Sequence, residues 1–136
     1  MRILLLALTV FICACCASSP DYVYMFNSRP MSPEGWYEDL YDDTKACAKK
    51  LKLFNGNKYE DIQWFMAPPG SMKGGEYVGL SSKPNRIYID AGYALEGWLI
   101  QHELSHYVLP MPHSAHESPA FALCSQYHSQ RPDTAS

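Results

Sequence analysis

Residues 95–109 read LEGWLIQHELSHYVL and are closed off by Pro110 and Pro112. Gly97, Ile100, Leu104, Tyr107 and Val108 recur at helical spacing. The segment is therefore expected to be an amphipathic helix that lays this stripe on a core and ends where proline removes the next amide donor. His102 and His106 fall outside the stripe. Side chains four residues apart on a helix point the same way, so the two imidazoles can reach one metal ion at about 2.0–2.1 Å. Glu103, the residue after the first of them, can lean over the same cleft as a general base.

Upstream, residues 86–89 and 77–80 are short apolar runs joined by Ser81, Ser82, Lys83, Pro84 and Asn85. Ile62, Trp64 and Met66 alternate with outward positions before Pro68 and Pro69. These runs read as strands of a small antiparallel sheet. Ser32, Pro33 and Glu34 have the character of a helix start. Trp36, Tyr37, Leu40, Tyr41, Thr44, Cys47, Ala48 and Leu51 then keep the helical period as far as the Asn55, Gly56, Asn57 turn. Ser118 and Pro119 open a last helix carrying Phe121, Cys124 and Tyr127, and residues 21–29 form an aromatic-rich edge strand or extended arm. The expected class is α+β: a small antiparallel sheet packed by an N-terminal helix, the helix of the two histidines and a C-terminal helix.

At the N-terminus, Arg2 precedes an apolar run over residues 3–12 and then small residues. This is the pattern of a signal peptide over residues 1–19, with an apolar core too short for the roughly 30 Å of a bilayer interior. Ile12, Cys13, Ala14 and Cys15 have the form of a lipoprotein signal with Cys15 lipidated, and ordinary cleavage near Ala17 is the alternative. The product is exported: secreted or periplasmic, or else anchored to the cell envelope through a lipid at Cys15. Residues 20–136 then make one domain of ordinary size. The net charge is −3 and the eleven Lys and Arg are scattered, which argues against nucleic acid as a partner. Three of the five cysteines belong to the signal region, leaving Cys47 and Cys124. In an exported chain these suggest one disulfide, with two free or metal-binding thiols as the alternative.

A catalytic zinc takes three protein ligands and keeps a fourth position open. His113 and His116 follow the Pro110, Met111, Pro112 turn, and all five histidines lie between positions 102 and 128. The segment from His102 to His106 is similar to the H-E-x-x-H motif of the zincin superfamily of metallopeptidases. It lacks the metzincin glycine and histidine, since Leu109 and Pro112 stand there. It also lacks the downstream glutamate ligand of the thermolysin-like branch, since Glu117 and Asp133 are the only later acids. Residues 116–124 resemble the tail of small uncharacterised bacterial secreted or lipoprotein zincins, a similarity that extends back through residues 87–89 and 36–47.

The resemblance implies a minimal zincin-like domain, one Zn2+ ion with His116 as third ligand beside His102 and His106, and a disulfide from Cys47 to Cys124; it implies no particular substrate. His116 lies just before the helix start at Ser118 and would be held by it, while His113 is the alternative ligand and the one not used would stabilise an oxyanion or a ligand. His128 reads as a surface residue. The implied activity is hydrolysis of a peptide or protein substrate by a zinc-activated water, with Glu103 as base. Residues 86–90 would offer a strand edge to the peptide, with Trp98 and Tyr93 as candidate cleft walls. Two rival readings stay open: an inactive exported module that binds zinc and peptide, and a closed structural site using both His113 and His116.

Overall fold

The computed structural model describes residues 22–126, so residues 1–19, which read as a signal peptide, together with Cys15, Tyr127 and His128, lie outside the described residues. Four strands, β1 (Arg29–Pro30), β2 (Gln63–Ala67), β3 (Gly79–Ser82) and β4 (Arg86–Asp90), form one sheet in the order β1-β2-β4-β3. β1 pairs with β2 and β3 with β4 in antiparallel fashion, but β2 and β4 run parallel, with Trp64 opposite Ile87 and Phe65 opposite Tyr88. The class is α+β as expected, while the sheet is mixed rather than antiparallel. The cause is the connection. Residues 68–78 leave the end of β2, arch past one strand position and set β3 two places away; residues 83–85 then fold β4 back into the gap. Successive strands are usually neighbours, and short apolar runs carry no sign that one will be skipped. The arch also takes up Tyr77 and Val78, which moves β3 two residues later than the apolar run suggested. The aromatic leader is a kinked 3-10 segment, Tyr22–Asn27, leading into the two-residue edge strand.

Parallel strands are generally covered on both faces. Here Trp64, Ile87 and Ile89 face a core shared with α1 (Gly35–Lys50), α2 (Gly97–Val108) and α3 (Pro119–Ser125). Phe65, Ala67 and Tyr88 face the other way and are covered by Met72, with Met25, Phe26 and Leu80 at the margin. The rings of Phe65 and Tyr88 stack at 4.9 Å. The expected alternation in β2 thus described one face only, because Phe65 is buried too.

α1 buries Tyr37, Leu40, Tyr41, Thr44, Cys47 and Ala48, the positions its period picks out. It begins at Gly35, with Glu34 rather than Ser32 at the cap. Tyr37 donates a hydrogen bond to the Ala94 carbonyl at 2.6 Å, clipping α1 to the segment that enters α2. At the other end of α2, Asn55 and Asn57 both donate to the Tyr107 carbonyl at 2.8 Å, and the Tyr107 hydroxyl donates to Lys58. Carbonyls in the last turn of a helix need partners from outside it. These bonds supply one and fix the C-terminal half of α2.

Cys47 of α1 and Cys124 of α3 are joined by a disulfide across 77 residues. A loop of that length stabilises by about 4 kcal/mol in the chain-entropy model. Replacing both cysteines by serine is expected to lower unfolding stability by about 2–5 kcal/mol. Denaturant titration checks the loss, and mass spectrometry of the unreduced protein checks that neither thiol is free. Quantitative alkylation of both without reductant would contradict the bond.

Candidate metal centre

α2 is enclosed on most sides. Leu99, Ile100, Gln101, Glu103, Leu104, Ser105, Tyr107 and Val108 are buried. After Gly97 the accessible positions are therefore Trp98, His102 and His106, one per turn. The same helical period that builds the core leaves this single open stripe.

The third imidazole comes from a 3-10 segment, His113–Glu117, directly before α3, which begins with Ser118 at its cap and Pro119 in its first turn. Phe121 of α3 is buried beneath the histidines, its ring centre 5.0, 4.4 and 5.2 Å from those of His102, His106 and His116. The ligand nitrogens of the three histidines lie within 4.8 Å of one another, and Nε2 of His106 is 2.8 Å from Nε2 of His116. Three nitrogens bound to one tetrahedral ion stand roughly 3.3 Å apart, so small rotations of the rings bring them to that spacing. His102, His106 and His116 form a cluster that could hold a metal ion. No protein-family model, curated protein or solved structure matches the chain. The chemistry of the centre is accordingly read from its own geometry. The side chain of His113, the alternative ligand, lies outside the described residues.

Glu103 turns from the helix towards β3. It is buried, a backbone hydrogen bond from Ser81 holds its carboxylate, and Oε2 has no hydrogen-bond partner among the described residues. Burial away from water favours the neutral form and pushes its pKa up to about 8, against the opposing effect of the Ser81 bond. Glu103 nevertheless lines a cleft of about 190 Å³ together with His102, His116 and Trp98. A buried carboxylate with an unmet oxygen, sharing a cleft with two of the clustered imidazoles, is an arrangement with a cost in stability, and such costs concentrate at functional sites.

The position depends on Gly79. A Cβ there would stand 2.6 Å from Oε1 of Glu103 and 2.8 Å from Cδ1 of Leu99. Gly79→Ala is therefore expected to destabilise by about 1–3 kcal/mol, the range for overpacking a close contact, and to displace Glu103. Thermal unfolding checks this, and an unchanged midpoint would contradict it. Gly79, Ser81 and Phe121 were not marked as site residues by the sequence, because each acts across a contact between elements far apart in the chain. The strand edge also differs from expectation: β4 is paired on both sides, so the outer strand beside α2 is β3.

Proposed function

We propose that this chain is an exported zinc-dependent hydrolase of peptide or amide bonds in a minimal zincin-like domain, with His102, His106 and His116 holding one zinc ion and Glu103 as general base. The observation that carries the reading is the clustering of three imidazoles with ligand nitrogens within 4.8 Å of one another, two of which share a cleft with a buried, half-satisfied carboxylate. An all-nitrogen donor set suits zinc, whereas magnesium and calcium take oxygen ligands. Three ligands with an open cleft beside them also suit a catalytic rather than a closed structural site.

Zinc held by His102, His106 and His116 would supply Lewis acidity, making water a better nucleophile at neutral pH and a carbonyl more electrophilic. The rest of the work belongs to the protein. Ser81 fixes one side of the Glu103 carboxylate, which leaves Oε2 to accept a proton from the attacking water and return it to the departing nitrogen. Burial keeps the proton affinity of Glu103 high, against the opposing effect of the Ser81 bond. Phe121 closes the underside of the cluster to water. β3, paired with β4 alone, offers its outer side to an extended peptide. Export rests on the signal-peptide pattern of residues 1–19.

Incubation of the mature protein with a broad library of internally quenched peptides tests the reading. Cleavage should disappear after chelation and return with one equivalent of zinc. If the zinc-loaded protein cleaves nothing in the library, a peptide-binding module without turnover becomes the better reading.

A further inference from the structure

The cleft differs in chemistry from one end to the other. The arm beside Glu103 is the hollow of about 190 Å³, whose lining includes Tyr77, Gly79 and Trp98. Beyond His106 lies a second hollow of about 340 Å³, whose lining includes Asn55, Asn57, Ser81 and Lys83. β3 runs from Gly79 in the first to Ser81 in the second, and α2 gives His102 to the first and His106 to the second. The two hollows thus lie on either side of the histidine cluster along β3 and α2, as two arms about the candidate metal centre.

Away from Glu103 and the histidines, the first arm is walled by the aromatic and apolar Tyr77, Val78, Trp98 and Leu99, with Glu76 the other charged residue of its lining. Trp98 is 56% exposed and Tyr77 37%. Tyr93 and Leu95, also exposed, extend the patch at the entry to α2, and Tyr93 packs edge-on against Trp98. Trp98 donates its indole N–H to Glu96 at 3.2 Å, which fixes the ring. Lys73 is engaged by Glu76 and Tyr77 of this lining. Contiguous exposed aromatic surface at the mouth of a polar site marks a ligand wall. The second arm has the opposite character: Lys83 is exposed, no acidic residue contributes to the lining, and the amide groups of Asn55 and Asn57 are committed to Tyr107.

We infer that the groove selects peptides with a bulky apolar or aromatic residue on one side of the scissile bond, seated against Trp98 and Tyr77, and an acidic residue on the other, paired with Lys83. The inference rests on the hydrolase reading for the position of the scissile bond, but both contacts are binding contacts and operate without turnover.

The test uses the zinc-loaded Glu103→Gln protein, which holds a peptide without a base to cleave it. Eight fluorescently labelled peptides, the four combinations of Phe or Ser at one position with Glu or Lys at the other, each in both sequence orders, are titrated by anisotropy. The Phe and Glu combination should bind tightest. Adding Trp98→Ala should weaken the Phe peptides roughly tenfold, as expected for loss of a buried aromatic contact, and leave the Ser peptides unchanged. Adding Lys83→Glu should weaken the Glu peptides about three- to tenfold and strengthen the Lys peptides, with the difference shrinking at high salt. Equal binding of all peptides, absence of binding, or indifference to both substitutions overturns the inference. If wild-type protein cleaves peptides without these preferences, the inference falls and the hydrolase stands. If the preferred peptide binds as expected yet wild type never cleaves it, the hydrolase falls and the inference stands.

Discussion

A Glu103→Gln variant is expected to keep its zinc and its fold while losing roughly 10² to 10⁴ in hydrolysis rate, the range for removal of a general base. Glutamine preserves the shape of the side chain, and its carbonyl oxygen can still accept the Ser81 hydrogen bond. It cannot take a proton. None of the three imidazoles is altered, so zinc stoichiometry should not change. Stability should not fall either, because the native site already disfavours the ionised carboxylate. With a folded pKa near 8 against an ordinary value of 4.5, Glu103 binds more protons folded than unfolded between those limits. The metal-free wild type therefore loses stability as pH rises from about 4.5 to 8, by on the order of a few kcal/mol, and the glutamine variant is spared that loss. Wild-type turnover by the variant would remove Glu103 from the mechanism.

The second large effect is expected at His116. Replacing it with alanine should lower zinc affinity by more than about 100-fold, since disturbing even an outer hydrogen bond to a metal ligand costs 10- to 100-fold. Activity should fall with the metal. His116 is exposed and belongs to a single 3-10 segment, so the metal-free variant should unfold within about 0.5 kcal/mol of wild type. That separates loss of a ligand from loss of structure. His113→Ala is the control and should retain stoichiometric zinc by elemental analysis. If the alanine at 113 loses the metal and the alanine at 116 keeps it, the third ligand is the other histidine.

The helices and the histidines they bring together were legible because they rest on local rules. The period of α2 put His102 and His106 on one side and the apolar stripe on the other, and Ser118 with Pro119 marked the start of α3. The two cysteines left once residues 1–19 are set aside had one natural partner each, and the structure joins them. The sheet was less legible. Nothing in residues 63–67 or 86–90 reveals that β4 enters between β2 and β3, because pairing is decided by the whole arch of residues 68–85. Burial on both faces blurs the two-residue period that would have marked which side of β2 is core. The surroundings of Glu103 are hidden for the same reason. The missing Cβ of Gly79 and the Ser81 amide matter only once β3 lies beside α2.

The most direct measurement is zinc K-edge X-ray absorption on the purified mature protein, combined with elemental analysis. The expected result is one zinc per chain, bound by three imidazole nitrogens at about 2.0–2.1 Å with one further light ligand that is not imidazole. A protein that takes up no zinc at equimolar supply would contradict the centre built on His102, His106 and His116. A fourth imidazole in the coordination sphere would contradict the open catalytic position and mark the site as closed and structural.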